Sequence, residues 1–115
     1  MADCLFCRIV AGEVPAKVVR RSADALAFRD IDPKAPVHVL VIPTRHIPAV
    51  RDANDPESER LLGSLLRFAA DIAGELGLDQ DGYRIVTNTG RNAGQSVDHL
   101  HFHVLGGRKL TWPPG

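Results

Sequence analysis

At residues 99–105 the chain reads His-Leu-His-Phe-His-Val-Leu, so that histidine alternates with an apolar residue three times. Alternate side chains of a β-strand share a face, which predicts that His99, His101 and His103 line one surface of a strand. The apolar residues between them would pack against a core. A plain core strand has no use for three histidines in register, because each buried ring must find partners for two nitrogens. The histidine face is therefore the candidate functional surface.

The residues alone leave three interpretations of that face open. It could be a solvent-exposed polar face, a flat zinc site, or a site where histidine acts as a nucleophile. The preceding loop favours the third, because Gly90, Gly94, Gln95 and Ser96 offer backbone N–H groups, an amide and a hydroxyl. Such donors can hold a phosphate without a large net charge, and neutral imidazole is a competent nucleophile near pH 7.

Two helices and five strands are predicted along the chain. Residues 4–11 have helical spacing, and residues 55–77 form a long amphipathic helix that starts at Asp55-Pro56-Glu57, stops at Gly77 and should cover one face of a sheet. Strands are predicted at residues 18–21, 25–28, 37–43, 83–88 and 99–105, the first two as a hairpin. Five strands with segregated helices predict an α+β fold, and the length suits a single domain over residues 1–115.

The charge balance excludes one class of partner. Fourteen Lys and Arg residues match fourteen Asp and Glu residues. The long-range field that would gather the chain onto nucleic acid or anionic lipid is therefore missing. No stretch approaches the roughly 20 apolar residues of a membrane span. We expect a cytoplasmic protein that binds neither nucleic acid nor membrane and holds any phosphate locally.

The two cysteines, Cys4 and Cys7, lie three residues apart near the N-terminus. This spacing suits one metal ion or a redox couple better than a disulfide framework in a domain of this size. The βαβ context of a thioredoxin-like motif is missing, which disfavours the redox interpretation.

Residues 94–107, Gly-Gln-Ser-Val-Asp-His-Leu-His-Phe-His-Val-Leu-Gly-Gly, resemble the signature of the histidine-triad (HIT) family and the Gly-Gln-Ser that leads into it in the Hint branch. Residues 3–9, 13–17, 27–31, 35–38, 41–47 and 112–115 are also similar to that branch, so the resemblance covers nearly the whole chain. It implies a HIT-like, five-stranded antiparallel sheet with one long and one short helix, assembled as a two-fold homodimer.

The resemblance also implies an activity, the hydrolysis of purine nucleoside 5′-phosphoramidates of the AMP-amine type. His101 corresponds to the nucleophile that forms a covalent nucleotidyl-histidine, and His103 to a histidine that contacts the phosphate. Ser96 corresponds to a phosphate ligand that also helps the leaving group depart, and His38 to a further active-site histidine. Rival interpretations are a dinucleoside polyphosphate hydrolase or nucleotidyl transferase of the same fold, and a nucleotide-binding scaffold module with incidental catalysis.

The remaining substrate contacts are carried over in the same way. Asp30 matches the acid that binds the ribose hydroxyls, and Phe28 and Ile31 match the apolar pocket for the base. Without the resemblance, Asp30 would be a turn-capping residue and His38 a satisfied core histidine. The other residues assigned to the substrate are Asn88, Gly94, Gln95 and Ser96 around the phosphate, and Trp112 on a C-terminal segment that reaches the neighbouring subunit's active site.

A structural Zn²⁺ is the one cofactor that the resemblance implies. Some HIT proteins bind zinc through residues that match Cys4, Cys7, His46 and His99, and all four are present here. Two cysteines and two histidines satisfy the four-coordinate preference of zinc and leave no open position for substrate. The side chain of His99 would then have no direct catalytic role, although its backbone carbonyl can still orient His101.

Overall fold

Five antiparallel strands form one sheet in the computed structural model, which describes residues 4–115. The strands are β1 (Val18–Arg21), β2 (Ala25–Arg29), β3 (Val37–Pro43), β4 (Tyr83–Val86) and β5 (Phe102–Gly106), and the helices are α1 (Leu5–Val10) and α2 (Pro56–Glu75). The spatial order is β1-β2-β3-β5-β4, so β1 and β4 are the edge strands. The predicted α+β architecture and the β1–β2 hairpin are confirmed.

Helix α2 begins and ends where the sequence predicts. Asp55 caps its N-terminus by accepting a hydrogen bond from Ser58 N at 2.9 Å, and Pro56 occupies the first turn. Gly77 follows the helix with a φ of 78°, the left-handed conformation that glycine adopts at helix ends. Among the residues described, neither α2 nor α1 is long and apolar enough to cross a lipid bilayer.

One face of the sheet is closed by α2. The core on this side includes, from the helix, Leu65, Ala69, Ile72 and Ala73, and from the sheet region, Val39, Val41, Leu100, Phe102 and Val104. The apolar residues that alternate with the histidines therefore pack against the long helix, as predicted. The histidine side chains are left for the opposite face.

The opposite face of the sheet carries the short helix and two of the histidines. A second core cluster covers part of it, formed by Phe6, Leu26, Phe28, Leu40 and Ile42. Side chains alternate along a strand, so His38 shares this face with Leu40, and His103 lies opposite Leu40 in the β3–β5 register. The histidine chemistry therefore lies on the α1 side, away from α2.

Strand β5 begins later than the sequence predicts. The ladder starts at Phe102, so His99 and His101 precede the strand and only His103 lies within it. Continued pairing would set residue 100 against Pro43, which has no N–H to donate and whose carbonyl accepts a hydrogen bond from His99 Nε2 at 3.0 Å. Strand β4 also ends at residue 86 rather than 88. The prediction of three histidines in register on one strand is therefore wrong for the first two.

Candidate active site and metal centre

His101 lies just before β5, and only 4% of its surface is exposed. Its Nδ1 is 2.7 Å from the backbone oxygen of His99. A carbonyl oxygen only accepts, so Nδ1 carries the proton and the neutral ring holds its lone pair on Nε2. Thr87 Oγ1 donates to the backbone oxygen of His101 at 2.9 Å and ties the residue to the end of β4. An imidazole nitrogen held in this tautomer can attack an electrophile.

His38 and His103 form a hydrogen-bonded pair whose direction is set by the main chain. The backbone N–H of Lys34 donates to His38 Nδ1 at 3.0 Å. Because an amide N–H cannot accept, His38 Nδ1 is unprotonated and its Nε2 carries the proton. That Nε2 lies 2.8 Å from His103 Nδ1, which accepts, so neutral His103 carries its own proton on Nε2. His101 and His103 are therefore opposite tautomers, one with a lone pair and one with a donor at Nε2.

Burial keeps this pair neutral near pH 7. Desolvation, reinforced by the neighbouring His101 and His38 rings, lowers the pKa of His103 to about 4. Burial also lowers the pKa of His38, although the Asp30 carboxylate opposes that shift. Asp30 Oδ2 lies 3.5 Å from His38 Nε2. The pair can therefore orient a substrate through hydrogen bonds rather than through charge.

The residues assigned to the nucleoside lie on β2 and in the loop that follows it. Asp30 Oδ1 accepts a hydrogen bond from Asp32 N at 2.8 Å, so Asp30 does cap a turn, while its second oxygen faces His38. Ile31 is 100% exposed, whereas only 4% of the surface of Phe28 is exposed. An exposed apolar residue beside a carboxylate offers a surface for a nucleoside, but binding there stays a prediction.

Phe6 is a contact of this site that the sequence did not reveal. Its ring meets the ring of His101 edge-on, with centroids 5.2 Å apart, and it also contacts Phe28 at 5.5 Å and His99 at 5.9 Å. The sequence marks Phe6 only as an apolar position of the short helix, between the two cysteines. Spacing along the helix cannot tell which ring it meets across the sheet. Phe6 joins α1 to the candidate nucleophile.

The glycine-rich loop before the triad is held by its own glutamine. Gln95 Nε2 donates to the backbone oxygens of Pro48 at 2.7 Å and Val97 at 3.0 Å, and its Oε1 accepts from Gly90 N at 2.9 Å. Both amide hydrogens and the carbonyl are thus engaged, with Gly90 and Val97 in the loop and with Pro48 in the segment after β3. Contact between the Gln95 side chain and a phosphate stays a prediction, and it would require one of these bonds to be exchanged.

Four further residues assigned to the substrate lie at or near the surface. Ser96 and Gly94 are exposed in the glycine-rich loop, where Gly94 has a φ of 77°, and Asn88 is half-buried beyond the end of β4. Trp112 is 79% exposed, and the guanidinium of Arg84 on β4 lies 5.8 Å from its ring centroid. Their contacts with substrate stay predictions.

The four residues assigned to zinc come together at the N-terminus of α1. His99 is fully buried, and its Nε2 donates to the carbonyl of Pro43, which leaves the lone pair of Nδ1 free. That Nδ1 lies 3.3 Å from Cys4 Sγ, 3.5 Å from Cys7 Sγ and 3.3 Å from His46 Nδ1. Usual zinc bond lengths in a tetrahedron place sulfur and nitrogen about 3.5 Å apart and two nitrogens about 3.3 Å apart. The donor set therefore fits a four-coordinate metal ion.

A second group of possible ligands, Asp30, His38 and His103, does not pass the same test. Its ligand atoms also lie within 4.8 Å of one another. A metal-binding histidine donates its other ring N–H, as His99 does. His38 instead accepts from the Lys34 amide at Nδ1, so coordination through Nε2 would require a doubly deprotonated ring. The hydrogen-bond pattern therefore suits a metal ion at the cysteine cluster better than at this group, in which His38 and His103 pair with each other.

Comparison with known proteins identifies the fold family. Residues 11–110 match the sequence profile of the HIT domain. The chain belongs to the HIT family. An uncharacterized HIT-like protein of Synechocystis sp. is 47% identical over 113 residues, which cover 98% of this chain and 97% of that protein.

Solved structures agree with the HIT assignment. A HIT family hydrolase from Legionella pneumophila is 51% identical, with a TM-score of 0.94 over 98% of this chain and 100% of that one. A histidine triad nucleotide-binding protein from Candida albicans is 34% identical, with a TM-score of 0.82 over 96% of this chain and 83% of that one. The five-stranded antiparallel sheet with one long helix is therefore a HIT fold.

The three triad histidines of this HIT protein occupy different surroundings. The side chain of His99 faces the cysteines, whereas the backbone carbonyl of His99 accepts a hydrogen bond from His101. His101 alone presents an unprotonated Nε2. His103 pairs with His38. The cluster of possible metal ligands and the candidate nucleophile are thus adjacent, because His99 belongs to the cluster and its carbonyl accepts from His101.

Proposed function

We propose that this protein is a nucleotide-binding hydrolase that cleaves purine nucleoside 5′-phosphoramidates to the nucleoside monophosphate and the free amine. The observation that carries the proposal is the 2.7 Å contact between His101 Nδ1 and the His99 carbonyl. It fixes the tautomer that exposes a nucleophilic lone pair on Nε2. Similarity to a HIT family hydrolase and to a histidine triad nucleotide-binding protein supports the reaction class.

The proposed reaction has two displacement steps. His101 Nε2 attacks the α-phosphorus; a P–N bond to the ring forms while the P–N bond to the amine breaks, and the amine leaves after taking up a proton, for which the Ser96 hydroxyl is the proposed relay. Water then attacks the same phosphorus, the bond to His101 breaks, and the nucleoside monophosphate is released; the proton that the water loses replaces the one taken up by the amine. The Nδ1–H bond to the His99 carbonyl stabilises the positive charge that the ring carries in the intermediate.

The developing charge on the phosphate oxygens needs hydrogen-bond donors. His103 supplies Nε2–H, because its pairing with His38 makes Nδ1 the acceptor. The loop that contains Gly94 and Ser96 supplies a backbone N–H and a hydroxyl, as the resemblance to the Hint branch implies. Donors that are fixed before the reaction stabilise a transition state more than donors that must reorganise.

The nucleoside would lie along β2 and the loop after it. A vicinal diol can donate two hydrogen bonds to one carboxylate, which suits Asp30. The fully exposed Ile31 side chain is an apolar surface that a base would cover, and Phe28 would form the inner wall of the same pocket. Apolar walls tolerate several bases, so the purine preference rests on resemblance.

We also propose a structural Zn²⁺ on Cys4, Cys7, His46 and His99. The ligand spacings and the free Nδ1 of His99 support it. When bound, the ion would fix α1 against the segment that precedes β5 and supply no open position for chemistry. The ring of His99 would bind the metal, and the backbone carbonyl of His99 would hold the ring of His101. The metal cluster would therefore keep the nucleophile in place.

A homodimer completes the proposal. We propose that two chains associate about a two-fold axis and that the segment from Lys109 to Gly115 reaches the partner's site. The support on this chain is Trp112, a large aromatic residue that is mostly exposed on a proline-containing tail.

A substrate panel tests the proposed function. Wild-type protein and the His101→Ala variant would be assayed with adenosine 5′-phosphoramidate, an aminoacyl adenylate and a diadenosine polyphosphate. We expect the phosphoramidate to have the highest kcat/KM, and the variant to bind AMP but not turn over. Faster cleavage of the diadenosine polyphosphate would favour the rival hydrolase. Turnover that is negligible with every substrate, with AMP still bound, would favour a binding module.

A further inference from the structure

The His38–His103 pair depends on the segment between β2 and β3, residues 30–36. The backbone N–H of Lys34 is the first donor in a series of hydrogen bonds that continues from His38 to His103. If that amide moved away, water could donate to His38 Nδ1 or accept from it, and the pair could reverse. His103 would then donate from Nδ1 and present a lone pair at Nε2, which repels a phosphate oxygen.

Two residues after β5 hold that segment in place. Arg108 Nη2 donates to the backbone oxygen of Lys34 at 2.8 Å. Gly107, with a φ of 89°, packs so closely on Pro36 that a Cβ on it would lie 2.9 Å from the Cβ of Pro36. These contacts begin where the β3–β5 ladder ends, at the pairing of Val37 with Gly106. The turn after β5 therefore contacts the segment at Lys34 and Pro36, shortly before His38.

The segment is also tied to itself. Lys34 Nζ donates to the backbone oxygen of Asp32 at 2.9 Å and to its carboxylate at 2.6 Å, and Asp32 N donates to Asp30 at 2.8 Å. A turn that is internally bonded moves as a unit. Asp30 N donates to the His38 oxygen at 3.0 Å and ties the start of the turn to β3, whereas Arg108 restrains its middle at Lys34.

We propose that Arg108 is a positioning residue for the histidine pair. By holding the carbonyl of Lys34, it keeps the amide of the same residue against His38 and so sets the tautomers of His38 and His103. Arg108 touches neither histidine and acts only through the backbone. The catalytic consequence rests on the proposed function, whereas the tautomer assignment does not.

The test first determines the tautomers of His38 and His103 by NMR and then measures kcat. Long-range ¹H–¹⁵N spectra of the full-length, ¹⁵N-histidine-labelled protein distinguish a protonated from an unprotonated ring nitrogen. Wild type should show Nε2–H on both His38 and His103. Arg108→Met removes the donor and keeps the aliphatic stem, so it should give a mixture of tautomers. With the phosphoramidate substrate it should lower kcat by roughly five- to tenfold, the loss expected for one hydrogen bond.

Controls separate positioning from general destabilisation. Arg108→Lys keeps a donor and should restore most of the kcat and the wild-type spectrum. Arg67→Met removes an exposed arginine whose ion pair with Asp71 on α2 is remote from the pair, and it should change neither readout. Gly107→Ala keeps the Arg108 side chain but crowds Pro36 in the same segment and strains the adjoining backbone, and it should perturb His103 if Arg108→Met does not fold.

Two results would overturn the proposal. One is an unchanged His38 and His103 spectrum in a folded Arg108→Met or Gly107→Ala protein. The other is a wild-type spectrum with the proton on His38 Nδ1. If wild type hydrolyses none of the substrates, the spectra still decide the positioning role, so failure of the proposed function is recognised separately.

Discussion

Replacing Cys7 by serine should destabilise the protein more than any exposed substitution in the same helix. Cys7 Sγ lies 3.3 Å from His46 Nδ1 and 3.5 Å from His99 Nδ1, so it forms two edges of the proposed metal tetrahedron. A serine hydroxyl is a poor zinc ligand and would open the cluster. The six-residue helix α1 is too short to persist alone, and Phe6 is its one buried residue.

Two contributions set the magnitude. A metal that binds only the folded chain adds about 4 kcal/mol of stability when its free concentration is a thousand times its Kd. Detachment of α1 would also expose Phe6, whose burial contributes about 2 kcal/mol. We therefore expect Cys7→Ser to lower the free energy of unfolding by about 4–6 kcal/mol, which corresponds to a fall in Tm of roughly 15–25 °C for a domain of this length.

The assay compares the Tm and zinc content of wild type, Cys7→Ser and chelator-treated wild type. Arg8→Ala is the matched control, because Arg8 is exposed on the same helix and makes only a 3.8 Å ion pair with Glu13. Chelation should reproduce the effect of Cys7→Ser, and added zinc should restore only the wild type. A structural zinc ion is ruled out if protein purified without chelator holds less than about a tenth of a zinc ion per chain and keeps its Tm in chelator.

Three further outcomes follow from the geometry. Thr87→Val removes the donor to the backbone oxygen of His101 at nearly constant volume and should cost about 1–2 kcal/mol in urea unfolding; an unchanged midpoint would contradict that bond. Because burial lowers the pKa of His103 from 6.5 to about 4, the unfolded chain binds more protons between those values, so the stabilisation is complete above pH 6.5 and lost as the pH falls towards 4. Allowing for partial exposure, the loss of unfolding free energy is on the order of 1–2 kcal/mol. It should be missing in His103→Gln, a matched control because any metal released by acid would be released from both proteins. Deleting residues 112–115 should change the preference among leaving amines more than the affinity for AMP, and light scattering of the full chain should give a dimer at micromolar concentration.

The parts of the fold that follow from local patterns were predictable from the sequence. A capping Asp55, a first-turn proline and a repeating apolar face predict helix α2, and both of its ends are where they were expected. The paired cysteines also suggest one metal ion, although the two histidines that join them were assigned by resemblance. These signals are carried by residues close together in the chain or by a known motif.

The parts that were missed depend on contacts between distant segments. Before β5 the Leu100 N–H donates to the Ile47 oxygen rather than to β3, where Pro43 has no N–H to offer, and a pattern of alternating residues cannot reveal this. The hydrogen bond from the Gln95 amide to the backbone oxygen of Pro48, 47 residues earlier, likewise could not be read from the sequence. The edge-on contact of Phe6 with His101 depends likewise on how α1 packs across the sheet.

The central claim is that His101 forms a covalent bond to phosphorus during turnover. The most direct measurement is rapid quenching of wild-type protein with an adenosine phosphoramidate under alkaline conditions that preserve phosphoramidate bonds, followed by intact mass and peptide mapping. We predict that an adenylylated protein forms and decays at rates consistent with kcat, with the adduct on His101 and none in His101→Ala. An adduct on another residue, or more than about a tenth of wild-type turnover in His101→Ala, would contradict the account.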